Sequence, residues 1–279
     1  MKLPLAFALL AASLFTANAG TLKINGSTTV NLPVAEAAEI LRAERKLDIQ
    51  VDTQGGSSGG ISMLAEGQVQ MGMSSKPVSD DDGKKYPHCD FKEIHIGEDA
   101  VALIVSKDVW DGGVRTLTKA QAKDIYEGKI TNWKDAGGKP QRIAFFNKEP
   151  GRGTWEVFVH WLYGSPKAAP QVSFPEVGGN EETRSKVGGT RGAMSQLSSS
   201  WADRKKVFAL GLVGDDGKPV EPTDANIATH LYPMSRPLFL LTNGEPKDDA
   251  KTMVDFMLGE RGQELVKKHG YLPLKALAK

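Results

Sequence analysis

The stretch Gly55-Gly56-Ser57-Ser58-Gly59-Gly60 constrains this chain more than any other. It follows Leu47-Asp48-Ile49-Gln50-Val51-Asp52, where apolar and polar residues alternate. That period of two predicts a strand with one face buried. Beyond the glycines, Ile61, Met63 and Leu64 lead into Glu66-Gly67, which reads as a short helix with a glycine stop. A glycine- and serine-rich loop therefore leaves a strand and opens a helix. Glycine, lacking a Cβ, lets backbone N–H groups approach a ligand closely. The helix start behind it favours negative charge, and Ser57 and Ser58 add hydroxyl donors. A glycine-rich turn that only caps its helix fits these residues equally well.

The same unit recurs. Lys23-Ile24-Asn25-Gly26 ends a strand and is followed by Ser27-Thr28-Thr29, after which Val34, Ala37, Ala38 and Leu41 fall at helical spacing. Pro33 is tolerated only near a helix start, which puts that start close to Thr29, with serine and threonine as N-caps. A third unit runs from Ile143–Phe146 through Asn147-Lys148-Glu149-Pro150-Gly151-Arg152-Gly153-Thr154 into a helix carrying Val157, Phe158 and Trp161. Val69–Met73 alternates as a strand and ends in Ser74-Ser75-Lys76-Pro77, and the polar run beyond reads as a surface connection. Ala100–Val105 is a continuous apolar run suited to a strand buried on both faces. Thr118 caps a helix to Ile125, Phe208–Val213 and Pro237–Thr242 read as strands, and two helices close the chain, the second stopping at Gly270. Strands alternating with helices predict an α/β fold with mostly parallel sheets. Ligands in such sheets sit beyond the carboxyl ends of the strands, where these loops lie.

The chain begins Met1-Lys2, continues apolar from Leu3 to Phe15, and reaches Ala17-Asn18-Ala19. A basic start, a short apolar core and an Ala-x-Ala end describe a secretory signal peptide, residues 1–19, cleaved after Ala19. No later stretch is apolar enough to span a membrane. Cys89 is the only cysteine, so no internal disulfide can form and no cysteine at the cleavage site carries a lipid. A buried, inert Cys89 is expected over one that pairs with another chain. Lys and Arg number 35 against 34 Asp and Glu, a balance that argues against a nucleic-acid partner. His88-Cys89 has no partners at zinc-ligand spacing, so neither a metal nor a cofactor is expected.

Five motifs appear in one order: Ile24-Asn25-Gly26-Ser27-Thr28-Thr29-Val30, Gly56-Ser57-Ser58-Gly59, Met71-Gly72-Met73-Ser74-Ser75-Lys76-Pro77, Tyr126-Glu127-Gly128-Lys129-Ile130-Thr131-Asn132-Trp133 and Tyr232-Pro233-Met234-Ser235-Arg236-Pro237-Leu238. With them the chain resembles, over almost its whole mature length, the phosphate-binding proteins of ABC importers, a branch of the type II periplasmic solute-binding proteins. The resemblance implies an α/β fold of two Rossmann-like lobes around a ligand cleft. Lobe 1 would hold residues 20–103 and 236–279, lobe 2 residues 104–235, and closure would be a hinge motion. It implies inorganic phosphate as ligand and the membrane permease of an ABC importer as partner; the signal peptide predicts a periplasmic or secreted location, and a monomer is expected. By position, Ser27, Thr28, Thr29, Ser57 and Ser58 would supply donors from lobe 1. Gly151-Arg152-Gly153-Thr154 stands where the family has Gly-Ser-Gly-Thr. Lys148 stands where it often has an ion-pairing arginine, whose planar two-pronged contact a lysine cannot make. Arg152 could reach the ligand or point to solvent. Ser75 stands where some members have an aspartate that accepts the proton of phosphate. Serine cannot repel by charge an anion lacking that proton, so the resemblance leaves open phosphate against other tetrahedral oxyanions.

Two other classes compete. Gly55-Gly56-Ser57-Ser58-Gly59 also fits Gly-x-Ser-x-Gly, which would make Ser57 the nucleophile of a serine hydrolase. That enzyme needs a histidine, and His88, His95, His160, His230 and His269 lie in no recognisable motif. A relative of the same fold that acts in surface attachment or signalling is the other class.

Overall fold

The computed structural model describes residues 20–214 and 216–277; the expected signal peptide, residues 1–19, lies outside the described residues. The chain opens with β1 (Leu22–Gly26), α1 (Asn31–Arg45), β2 (Ile49–Asp52), α2 (Gly56–Ala65) and β3 (Met71–Ser74). These are the strand–loop–helix units expected, and β2 and β3 both lie parallel to β1. The polar run after Lys76 contains the short helix α3 (Asp80–Lys85), capped reciprocally by Ser79 and Asp82. Next come β4 (Phe91–Ser106), α4 (Lys107–Asp111), β5 (Thr116–Thr118), α5 (Lys119–Tyr126), β6 (Ala144–Phe145), β7 (Asn147–Lys148) and α6 (Gly153–Tyr163). Thr118 caps α5 as the sequence predicts, with Gln121 completing the capping box. The chain continues through β8 (Glu176–Val177), α7 (Asn180–Gly189), β9 (Ala193–Ser198), β10 (Val207–Ala209), β11 (Gly211–Val213), β12 (Pro219–Val220) and α8 (Asp224–Ala228). It returns along β13 (Ser235–Asn243) and ends with α9 (Asp248–Leu258) and α10 (Glu260–Lys268).

The main sheet runs β2-β1-β3-β13-β4-β9-β6, with β10 also on β4. β4 is 16 residues long and belongs to two halves of the molecule. Its first half pairs with β13, its second with β9 and β10. Around the first half, Ile24, Val34, Met71, Leu240, Met253 and Val266 form one core under α1, α9 and α10, while Ile61, Leu64 and Leu241 pack beneath α2. Around the second half, Val101, Leu103 and Val105 enter one cluster with Phe145, Phe158 and Trp133, and Ala102 and Ile104 enter another with Val187 and Leu197. Successive residues thus serve opposite faces, and the Ala100–Val105 run is buried on both sides, as expected. The result is an α/β fold of two lobes.

Cys89, expected to be buried, is only partly buried, and three expectations about the strands and helices differ as well. The sheet is mixed, not mostly parallel: β13 runs antiparallel to β3 and β4, and β4 antiparallel to β9. The cause is that the chain leaves the first lobe along β4 and returns along β13, in opposite senses. Phe208–Val213 is two strands rather than one, divided at Leu210, because Val207–Ala209 pairs with β4 and Gly211–Val213 with β5 of a separate sheet. Helix α2 starts at Gly56, inside the glycine segment, after Gly55 adopts a left-handed φ of 71°.

Candidate anion-binding site

Four helices from both lobes begin around one small cavity: α1 and α2 on one wall, α6 and α7 on the other. Helix starts carry partial positive charge and backbone N–H groups without intrahelical partners. The lining is Ser27, Thr28, Thr29, Gly56, Ser57, Ser75, Lys148, Arg152, Gly153, Thr154 and Asn180, around empty space of about 210 Å³. The cavity volume within it is only about 10 Å³, far below the roughly 300–1,000 Å³ of pockets for drug-sized ligands, so the closed site has room for a few atoms at most. Among the described residues, the N–H groups of Thr28, Ser57, Gly153 and Thr154 donate to no protein acceptor.

On the first wall, three serines form a hydroxyl cluster. Ser27 Oγ donates to Ser75 Oγ at 3.0 Å, and Ser57 Oγ lies 3.3 Å from Ser75 Oγ. Backbone N–H groups fix two of them: Thr29 N donates to Ser27 Oγ and Ser75 N to Ser57 Oγ. Thr29 does not cap α1. Val30 is the N-cap and makes no side-chain bond, and Thr29 Oγ1 accepts instead from Asn180 Nδ2 at 3.0 Å and Arg236 Nη2 at 3.2 Å.

On the second wall, Lys148 is 1% exposed. Its Nζ donates to the carbonyls of Gly178 (2.8 Å) and Gly179 (3.1 Å), with Asn180 Oδ1 at 3.5 Å. Among the described residues, no carboxylate pairs with it directly. Burial, followed by the positive charges of Arg152 and Arg236, pushes its pKa down to about 7. Arg152 lines the cavity while its Nε and Nη2 donate to Glu149 Oε2 at 2.9 and 2.7 Å. It therefore neither points freely to solvent nor stands as an uncompensated cation. Its stem lies across Gly56, where a Cβ would stand 2.7 Å from Arg152 Cδ and where φ is +60°. Only glycine meets both demands. Among the described residues, no carboxylate belongs to the lining. Asp99 pairs with Arg236 behind the cavity, Glu149 holds Arg152, Glu98 pairs with His95, and Asp52 bonds the N–H of Thr53.

Nine of the ten residues expected from sequence thus meet in one cavity. Ser58 stands outside its lining: its Oγ donates to Glu156 Oε1 at 3.4 Å and its N–H to the carbonyl of Gly151, both across the cleft. Gly56, Asn180 and Arg236 complete the arrangement and were not among those ten. Gly56 and Arg236 stood inside motifs already singled out, whereas Asn180 carried no signal beyond following Gly178-Gly179. For the hydrolase reading, among the described residues Ser57 Oγ has only Ser75 as its hydrogen-bonded neighbour and no histidine lines the cavity. His95 and His269 pair with Glu98 and Glu36, elsewhere in the fold.

A two-lobed α/β fold that closes helix starts, hydroxyls and a buried cation around a space of this size defines a solute-binding protein for a small anion. Residues 12–261 match the family model described as the PBP superfamily domain. The chain is 34% identical over 257 residues, 91% of its length and 81% of the relative's, to the phosphate-binding protein PstS of Bacillus subtilis (strain 168). Its fold superposes with a TM-score of 0.80, at 31% identity over 91% of this chain and all of the other, on a structure from Clostridium perfringens with bound phosphate, described as a phosphate ABC transporter substrate-binding protein. An ABC-type phosphate transport receptor from Vibrio cholerae superposes with a TM-score of 0.71 at 27% identity, covering 90% of this chain and 99% of that one. The chain belongs to the phosphate-binding protein family of the periplasmic binding protein superfamily.

Proposed function

We propose that this protein, exported by its signal peptide, captures inorganic phosphate between its lobes and delivers it to the membrane permease of an ABC importer. The observation that carries this reading is the convergence of four helix starts, a hydroxyl cluster and Lys148 on a cavity without a lining carboxylate. Such a wall of donors suits a small oxyanion, most of whose oxygens accept. The relatives' names and the phosphate held by the Clostridium perfringens protein support the same ligand. The reading includes capture without bond-making chemistry, a monomeric chain, and lobes comprising residues 20–103 with 236–279 and residues 104–235. The absence of a lining carboxylate favours a second reading, in which sulfate-like tetrahedral anions also bind. Titration calorimetry of ligand-stripped mature protein tests both: phosphate binding is expected, and folded protein that ignores millimolar phosphate sinks the proposal. Sulfate and arsenate in competition decide between the readings.

A further inference from the structure

Arg236 is 2% exposed at the start of β13, where the antiparallel register sets it directly opposite Asp99 on β4. These are the two strands by which the chain passes between lobes. Arg236 Nε and Nη2 donate to Asp99 Oδ2 at 3.1 and 2.7 Å, and Ser198 Oγ donates to Asp99 Oδ1 at 2.9 Å. The guanidinium is planar and donor-only, so this grip fixes where its remaining N–H groups aim. One reaches Thr154 Oγ1 on the second wall at 3.0 Å, and another reaches Thr29 Oγ1 on the first at 3.2 Å.

A threonine oxygen has two lone pairs and one proton. Arg236 and Asn180 both donate to Thr29 Oγ1, so both its lone pairs are taken and its proton can only be given away. Thr154 Oγ1 accepts from Arg236 alone, which occupies one of its lone pairs and leaves its proton free to turn to the cavity. Neither hydroxyl donates to any acceptor among the described residues, and both threonines line the cavity.

Resting on the phosphate reading above, we propose that Arg236 is a positioning residue, which makes Thr29 an obligate donor toward the ligand, biases Thr154 to donate, and thereby selects unprotonated oxygens there. It joins a hydroxyl from each lobe to one rigid group, so its hydrogen bonds are complete only with the cleft closed. A buried ion pair without this role would affect folding but not the threonines' contribution to binding.

The test is a double-mutant cycle on the mature chain, with inorganic phosphate as titrant and thermal melting alongside. Arg236→Lys keeps a cation beside Asp99 but cannot serve three partners in one plane. It is expected to weaken phosphate binding about tenfold or more, the equivalent of one hydrogen bond to a charged group. Thr29→Val and Thr154→Val should each cost about tenfold in the wild-type background and less than about threefold beside Arg236→Lys. Threonine penalties that are equal in both backgrounds overturn the proposal, as does a folded Arg236→Lys protein with wild-type affinity. Should Arg236→Lys not fold, Thr29→Ser decides. The retained hydroxyl, held by the same two donors, is expected to keep affinity within about threefold where Thr29→Val loses about tenfold, and equal losses overturn the proposal. Wild-type protein that binds no phosphate removes both this inference and the phosphate reading, whereas wild-type binding with additive penalties removes this inference alone.

Discussion

Gly153 meets Ser75 across the cleft so closely that a Cβ on Gly153 would stand 2.7 Å from Ser75 Oγ and 2.8 Å from Ser57 Oγ. One partner starts helix α6 in the second lobe and the other directly follows β3 in the first. The absent side chain is therefore what lets the two walls meet. Gly153→Ala is expected to weaken phosphate binding at least about tenfold, since the donors of the two walls could no longer converge. The ligand-free protein should melt at an unchanged or slightly higher temperature, because alanine is better than glycine in a helix by up to about 1 kcal/mol. Wild-type affinity in Gly153→Ala would show that this contact does not limit closure.

Glu156 ties the walls together at the rim. Its Oε2 pairs with Lys76 Nζ at 2.9 Å, and its Oε1 accepts from Ser58 Oγ at 3.4 Å. Ser58→Ala removes only the long bond and should change affinity by less than about threefold, since the hydroxyl lies outside the cavity lining. Glu156→Ala removes both links and leaves Lys76 nearly buried beside only Asp82, at 3.6 Å. Phosphate should then dissociate roughly three- to tenfold faster in stopped-flow measurements, with a smaller effect on association. Equal losses for Ser58→Ala and Thr29→Val would instead put Ser58 in direct contact with the ligand.

Lys148 is expected to make binding depend on pH. Its folded-state pKa is about 7, against 10.5 for an ordinary lysine. Between those values the unfolded chain holds a proton that the folded chain lacks, so this group makes ligand-free stability rise with pH across that window. A bound anion favours the ammonium, so binding above pH 7 should take up a proton. Calorimetry at a pH of about 8.5 in two buffers of different ionisation enthalpy is expected to find uptake approaching one proton. Lys148→Arg does not titrate there and should show almost none. Undiminished uptake in Lys148→Arg assigns the proton to the ligand.

Ser75 stands where discrimination between tetrahedral anions can be tested. Its hydroxyl sits between Ser27 and Ser57, where a carboxylate would face any bound anion. Ser75→Asp should raise the preference for phosphate over sulfate by about tenfold or more, because only phosphate brings a proton for that carboxylate. Competition titrations on both proteins check this. Wild-type protein that already ignores excess sulfate would mean that the hydroxyl cluster itself discriminates.

Much of the framework was legible in local sequence. The alternation before Gly55, the apolar run Ala100–Val105 and the Thr118 cap each reported on a neighbourhood of a few residues, and each appears in the fold. Departures arose where a distant partner competed with a local one. Thr29 looked like the cap of α1, but its oxygen serves Asn180 and Arg236. The glycine segment looked like a loop before its helix, yet Gly56 begins α2.

By itself, the sequence determined which residues could line an anion site: the hydroxyls and glycines at helix starts, whose donors follow from backbone geometry within one turn. Only tertiary structure decided which of them face the cavity and what holds them there. Thr29 meets Asn180 across 151 positions and Arg236 across 207, and Ser58 meets Glu156 across 98. Those meetings depend on β13 lying in register with β4 and on the lobes closing. Both are non-local pairings, whose hydrogen bonds form only once the intervening chain has folded, so residue type and spacing cannot specify them.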